Sequence, residues 1–411
     1  MCRAVPAVIQ EEKVKVVKVM KKKLVILGAG IGGLSVIKEL TESGVALDDL
    51  DITIVDEDFS HSLGFTLPWV MRGWRDEDSV PIRPSATALA GIQTVTGAVR
   101  GVDPAGHTVT LVDATEIPFD TLVIATGARN AIGRIPGLHT AVDNGIAVHY
   151  YAAHAAAEAN RALRGFTGGK LVFLVTSQPY RCPVAPYEGA LLAADLLRSN
   201  GSRDETQIAV YTPESNPMPS AGPYAGPELV NLLEENGIEF FGDHTVERID
   251  ATGRVIHFQD GSAADFDLLV FVPPHEPSVT LDGQGWISVD ATTMQTEHPG
   301  IFAIGDTTIV TSPSGRPLPK AAIFAKNGAK SAAANVMHYL RKTNAGAPLS
   351  GEGYCYIDIG GHLAAQGKGD FFTTPHPAIH LSSPTAQLHH EKQDEERDWR
   401  SLWERESSLT R

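Results

Sequence analysis

Three side-chain types that could do redox or proton chemistry recur at suggestive places in this chain: two cysteines, a carboxylate and a histidine. Cys182 lies in Gln178-Pro-Tyr-Arg-Cys-Pro-Val-Ala-Pro-Tyr-Glu188. The run follows a buried-strand signal, Leu171-Val-Phe-Leu-Val-Thr176, and leads into a helical one, Ala190-Leu-Leu-Ala-Ala-Asp-Leu-Leu197. A strand-to-helix turn that binds a dinucleotide carries glycines, because the backbone must approach a pyrophosphate. This turn has no glycine. It has three prolines and a thiol, so a dinucleotide site has been rebuilt around sulfur. Cys355 lies in Gly351-Glu-Gly-Tyr-Cys355-Tyr-Ile-Asp-Ile-Gly-Gly361. The period-two pattern Cys355, Ile357, Ile359 predicts a strand or hairpin edge, and a lone cysteine there is most simply a small buried hydrophobe. Glu188 is either a helix N-terminal charge that complements the dipole or a carboxylate near a substrate. His154, in Val148-His-Tyr-Tyr-Ala-Ala-His154, is either a proton carrier or a surface helix residue.

The elements that must position these groups begin with an intact dinucleotide motif. Leu24-Val-Ile-Leu27 reads as a buried parallel strand; Gly28-Ala29-Gly30-Ile31-Gly32-Gly33 follows at once, and Leu34-Ser-Val-Ile-Lys-Glu-Leu40 opens a helix. A second strand, Asp51-Ile-Thr-Ile-Val55, ends in Asp56, where an acid accepts adenosine ribose hydroxyls. Gly28, Ala29, Gly30, Gly33 and Asp56 are therefore expected to hold a dinucleotide. Two later strand ends select FAD over NAD: Thr121-Leu-Val-Ile-Ala125-Thr126-Gly127 and Ile301-Phe-Ala-Ile-Gly305-Asp306. The expectation is that Ala125, Thr126, Gly127, Gly305 and Asp306 lie along the flavin.

With these motifs in order, the chain resembles the sulfide:quinone oxidoreductase and flavocytochrome c sulfide dehydrogenase group of the pyridine nucleotide-disulfide oxidoreductase superfamily. The resemblance rests on Gly28-Gly30-Gly33, Phe65-Thr-Leu-Pro-Trp-Val70 with Gly73-Trp74-Arg75, Ala125-Thr-Gly127, the Cys182-to-Glu188 run, Val272-Pro-Pro274, Gly305-Asp306, Pro319-Lys320 and Cys355. It covers residues 21–372. It implies an FAD whose redox partner is a Cys182–Cys355 disulfide or persulfide pair, oxidising sulfide or a small sulfur compound. The electrons would pass to a quinone or another acceptor. It also implies that Lys320, at the start of a helix from Ala321 to Tyr339, sits near the flavin, where its charge and the helix N-terminus would stabilise the reduced anionic ring. Members of the group often carry a third cysteine where this chain has Tyr150, which cannot hold sulfur. Two other readings stay open: a flavin disulfide enzyme acting on another thiol, persulfide or carrier protein, and an FAD-containing assembly module with non-catalytic cysteines. A type II NADH dehydrogenase is disfavoured by the missing second glycine loop.

The fold class expected is α/β: two Rossmann-like dinucleotide-binding domains, the FAD domain interrupted by a second, NAD-like domain that has lost its glycine loop, plus a C-terminal segment. The expected divisions are an extension at 1–19, FAD domain at 20–150 and 283–345, the second domain at 151–282, and a C-terminal region at 346–411. Residues 213–227, rich in Pro, Gly and Ser, read as a surface loop or lid. The chain has 411 residues and a net charge of −15, which excludes nucleic acid as a main partner. Three cysteines make no disulfide framework, and Cys2 reads as a bystander. The first residues carry charge through their middle and lack a signal-peptide core. The expected location is cytoplasmic, or peripheral to a membrane. The tail is dense in charge, with one apolar stripe, Trp399-Leu402-Trp403. Its candidate uses are packing on the body, a partner subunit or a weak membrane contact; a homo-oligomer is also a candidate. No metal is expected.

Overall fold

The structure, a computed structural model, describes residues 21–405; the extension, Cys2 and the last six residues lie outside them. Two parallel five-stranded sheets carry the chain. In the first, the order is Ile301–Ala303, Thr121–Ile124, Lys22–Leu27, Leu50–Asp56, Gln93–Thr96. In the second it is Ile238–Phe241, Thr206–Tyr211, Gly169–Val175, Leu268–Val272, Ala147–Val148. Both central strands are unbroken apolar runs, Leu24 to Leu27 and Leu171 to Val175, buried at 3% exposure or less. A parallel strand covered by helices on both faces needs that pattern. Each sheet is followed by a three-stranded antiparallel ribbon, at 99–118 and 246–265.

The chain re-enters the first sheet at Ile301–Ala303, and the helix Ala322–Tyr339 packs on that domain's first helix, Ile31–Glu42. A hairpin follows, Glu352–Gly360 against Leu363–Asp370, with Cys355 opposite Gly367. The strand reading at Cys355 therefore holds.

Two expectations change. Residues 213–227 do not form a lid: Glu214, Met218, Ala221 and Ala225 are each 5% exposed or less, and Ala225 begins the helix Ala225–Glu235. Proline and glycine content gave the turn but not its burial, which comes from packing beneath Pro377, whose carbonyl would lie 1.8 Å from a Cβ on Gly222. The charged tail is the helix Ala386–Trp403, capped by the Thr385 side chain accepting from the Leu388 amide. Its stripe is turned inward. Trp399 and Trp403, 5% and 4% exposed, join the hydrophobic core of the first sheet, and Trp399 Nε1 donates to His61 Nε2 at 2.9 Å. Of the three uses open to that stripe, packing on the body is the one adopted; the two indoles are not available to a membrane or a partner. Among the described residues no helix is long and apolar enough to cross a membrane.

Candidate active site

The first sheet ends in a cradle. Gly28 takes φ +97°, and a Cβ on Gly33 would lie 1.9 Å from the Gly28 carbonyl oxygen, so only glycine lets the helix start this close to the strand. Gly30 has nothing within 4 Å of where its Cβ would be and caps the helix without a side-chain bond. The first-turn amides are thus free to face a phosphate. Asp56 Oδ2 accepts from the Ala29 amide at 2.6 Å, and Oδ1 from the Asp58 and Phe59 amides. This holds the carboxylate at the mouth of the cradle, with lone pairs left for ribose. The cradle opens into one cavity of about 710 Å³. Gly28, Gly30, Asp56, Ala125, Thr126, Gly127, Gly305, Asp306 and Lys320 all line it. The buried Thr126 hydroxyl has no partner among the described residues. An extended dinucleotide with a polar chain fits these residues. Gly33→Ala is expected to yield protein without bound flavin, since the Cβ collides with backbone; absorbance of the purified variant at the visible flavin band checks this.

Cys182 and Cys355 line the same cavity, far from each other in sequence and half-buried. Both are free thiols in the structure. Cys182 takes φ +59°, a left-handed conformation that costs a non-glycine residue roughly 1–3 kcal/mol. Its amide donates to the Lys320 carbonyl at 2.7 Å and its carbonyl accepts from the Ala185 amide at 3.0 Å. The strained turn is thereby pinned to the start of the helix Ala322–Tyr339. Burial pushes the Cys182 thiol up to about 11, with the Glu188 carboxylate adding to the shift and Lys392 opposing it. Burial pushes Cys355 up to about 12, with the charge of Cys182 adding to it.

Glu188 is neither a solvated dipole charge nor a free carboxylate. It is 1% exposed and paired with the Lys392 ammonium from the C-terminal helix. Lys392 Nζ also donates to Asp358 Oδ2 at 2.9 Å, Trp69 Nε1 donates to the same oxygen at 2.6 Å, and His389 Nδ1 lies 2.6 Å from Asp358 Oδ1. Burial raises Glu188 to about 8, against the pull of Lys392. Burial also works against ionised Asp358, but Lys392, His389 and Trp69 more than offset it and hold that carboxyl well below the usual range. Lys392, Asp358 and His389 were not legible as site residues. The only hint was that Tyr354, Tyr356 and Asp358 alternate with the apolar face of their strand. The C-terminal helix covers that second face through Glu395, Glu391 and Lys392.

One expected residue lies outside the cavity, and another is more buried than a first-turn lysine need be. His154 is exposed on the helix Ala153–Arg164 and is not part of the cavity wall. Ala155, Ala156 and Ala159 take that helix's buried face, leaving position 154 to solvent. Tyr150 and Tyr151, just before it, line the cavity instead. Lys320 is buried rather than solvated. Its Nζ donates to the Asp306 and Thr308 carbonyls, each at 2.8 Å, and lies 3.6 Å from the Trp286 ring centre. Burial lowers it to about 8. Those bonds fix the Gly305–Asp306 turn, and Lys320 stays in the wall of the cavity.

The family model for pyridine nucleotide-disulphide oxidoreductases matches residues 22–172 and 187–337. The chain belongs to this family. A probable ferredoxin reductase of Castellaniella defragrans is 31% identical over 72% of this chain and 69% of its own length. A sulfide-quinone reductase of Aquifex aeolicus is 23% identical over 87% and 84%. The solved structure of the sulfide:quinone oxidoreductase from Aquifex aeolicus superposes with a TM-score of 0.80 at 20% identity, covering 93% of this chain and 92% of that one. The protein is thus a flavin-dependent oxidoreductase whose cofactor is FAD, and it is similar in sequence and fold to sulfide:quinone oxidoreductases.

For a pyridine nucleotide-disulphide oxidoreductase, its second dinucleotide position is unusual. The place after the strand Thr206–Tyr211, where an acid would meet an NAD ribose, is held by Glu214, 5% exposed. Glu214 Oε2 accepts from the Tyr187 hydroxyl at 2.5 Å and the Tyr180 hydroxyl at 2.7 Å. Both tyrosines come from the rebuilt turn and helix, and they are 0% and 6% exposed. The acid and the turn that would hold a nicotinamide dinucleotide hold each other. NADH and NADPH are therefore expected not to bleach the flavin at a useful rate. Anaerobic mixing with stoichiometric NADH checks this, and rapid bleaching would show that the plug opens.

Proposed function

We propose that the protein oxidises sulfide, or a closely related small sulfur compound, through Cys182 and Cys355 beside FAD, and passes the electrons to a quinone. The observation that carries this reading is that both cysteines share one cavity with the FAD cradle while the pyridine nucleotide position is filled by Glu214, Tyr180 and Tyr187. A donor other than NADH is needed, and the thiols are the nearest redox groups.

FAD supplies a two-electron acceptor that a later acceptor can discharge. The chain's own residues do the sulfur chemistry. Hydrosulfide attacks the Cys182–Cys355 disulfide, leaving one cysteine as a persulfide and the other reduced. A second thiol takes the sulfur and leaves both cysteines reduced, and their closing to a disulfide would release the electron pair that a bound FAD accepts. The wall behind Cys355 is apolar, formed by Met218, Ile323, Phe324, Phe371 and Ile379, which favours an uncharged acceptor. Similarity to a probable ferredoxin reductase supports a second reading of the acceptor alone: a small redox protein in place of a quinone.

Anaerobic titration of the purified protein with sulfide tests the donor. The visible flavin band should bleach with about one equivalent in the presence of a sulfur-accepting thiol. No bleaching would remove sulfide from consideration. Reoxidation by a short-chain quinone, compared with reoxidation by a ferredoxin, separates the two acceptors.

A further inference from the structure

The C-terminal helix Ala386–Trp403 reaches the wall of the FAD cavity as well as the core of the first sheet. Its Lys392 and Glu395 line that cavity. So does His61, just after Asp56, and His61 Nε2 accepts from Trp399 Nε1 at 2.9 Å. Lys326, another wall residue, holds its ammonium 5.6 Å from the Trp399 ring centre. The last turn of the helix grips the neighbouring stretch of chain. Arg400 Nη2 donates to the Ser79 carbonyl at 2.6 Å, and the Trp403 carbonyl accepts from the Ser85 amide at 2.7 Å. Between those two points Ile82 exchanges both backbone bonds with His61, at 2.7 and 3.1 Å.

The Trp399 bond fixes the tautomer of His61. An indole N–H only donates, so Nε2 must accept, and Nδ1 carries the one hydrogen of the neutral ring. Burial lowers His61 to about 4, against the pull of Asp56, so the ring is neutral near pH 7 and the assignment holds there. Nδ1 is buried and has no partner among the described residues. A buried donor left unpaired is costly. Packing of the helix does not by itself require the bond to Nε2: Trp403, as buried as Trp399, leaves its own Nε1 without a partner among the described residues.

We propose that His61 Nδ1–H donates to an oxygen of the adenosine half of FAD, ribose or phosphate, and that Trp399 orients it, so that the cofactor and the C-terminal helix hold each other in place. The adenosine half is assigned because Asp56 and His61 share that part of the wall, and an acid at the Asp56 position meets the adenosine ribose. His61 is then a binding residue, and Trp399 is a positioning residue that acts through it. Whatever free energy FAD gains from the docked helix, the helix gains from FAD. This coupling involves no sulfur step and is independent of the donor and acceptor proposed above.

The test measures FAD affinity of the full-length apoprotein by quenching of flavin fluorescence. His61→Leu removes the donor and should raise the FAD Kd about tenfold or more. His61→Asn puts an amide donor near the place of Nδ1 and should recover most of that loss. Trp399→Phe should raise the Kd about fivefold in the wild-type background and leave it unchanged in His61→Leu, because its effect runs through His61. Trp403→Phe takes away an indole of like burial without a side-chain hydrogen bond, and its Kd should stay close to wild type. Thermal melting of each holoprotein checks folding. ADP, which carries the adenosine half without the flavin, should lose affinity for His61→Leu by the same factor as FAD; unchanged ADP binding would overturn the assignment to that half. Hydrogen exchange reads the reverse direction. Saturating FAD should slow exchange of the Ala386–Trp403 amides about tenfold or more in wild type and much less in His61→Leu, with the helix Ala225–Glu235 as reference. An unchanged FAD Kd in His61→Leu would overturn the bond to the cofactor. Equal losses in Trp399→Phe and Trp403→Phe, or additive losses in the His61→Leu/Trp399→Phe double variant, would reduce Trp399 to packing and overturn the coupling.

Discussion

Cys182→Ser and Cys355→Ser should each abolish sulfide-driven flavin reduction, a loss on the order of a thousandfold or more, while FAD content stays near wild type. Both sulfurs line the cavity that holds the FAD cradle, so under the proposed chemistry each substitution removes a reacting atom. Serine keeps the size and a hydrogen-bonding group. Its hydroxyl is a far weaker nucleophile at neutral pH and cannot carry a persulfide. Both positions are half-buried, so the change in stability should stay within about 1 kcal/mol. Serine at 182 also inherits the left-handed backbone that cysteine already tolerates. Stopped-flow bleaching by sulfide reads the chemistry; flavin absorbance and thermal melting read the scaffold. Cys2→Ser is the control and should change nothing. Retention of wild-type rates by both active-site variants would leave a flavoprotein with another donor.

Lys392→Met should destabilise the fold by about 3–5 kcal/mol, because it leaves the buried Asp358 carboxylate and the Glu188 carboxyl without their cation. Methionine matches the length of the lysine stem, so packing is nearly kept and the loss reports charge. The pH dependence has a definite sign. Glu188 is raised in the folded state from an ordinary 4.5 to about 8, so the native protein binds a proton there that the unfolded chain has already lost. Its contribution to stability is fully present below about 4.5 and disappears as pH rises through about 8. Without Lys392 the upward shift grows. The melting deficit of Lys392→Met should therefore be larger at pH 8 than at pH 6 (thermal melts in matched buffers measure it). Equal melting of wild type and variant at both pH values would mean the pair contributes nothing to the fold. Replacing Glu188, Asp358 and Lys392 together by apolar residues should recover much of the loss, since no charge is then left unpaired.

Much of the active site is written locally. The strand Lys22–Leu27, the glycine turn and the helix Ile31–Glu42 are contiguous, and each piece has one physical solution. An unbroken apolar run must be a covered parallel strand. Only glycine fits where a Cβ would meet the Gly28 carbonyl at 1.9 Å. The rebuilt second turn is equally local: a proline-rich run with a cysteine cannot offer a row of amides to a pyrophosphate. Fold class, the FAD motifs and the departure at Cys182 were legible for that reason. Residues 213–227 were misread, because composition marks a turn and says nothing of what lies over it.

What tertiary structure alone decided is where charges go. Lys392 sits among acids and bases in a helix that reads as solvated, and its partner Glu188 is 204 positions away. No periodicity in either segment shows that they meet. A buried ion pair is stable only as a pair, and its members look like ordinary surface charges when read one at a time. The same holds for His154, whose helix turns it to solvent, and for Lys320, whose ammonium is taken up by the Asp306 and Thr308 carbonyls. Sequence by itself determined the FAD motifs and the cysteine in place of glycines at the second turn. Folding determined which charges are buried beside those motifs, because the cost of burying a charge depends on neighbours that only the closed structure supplies.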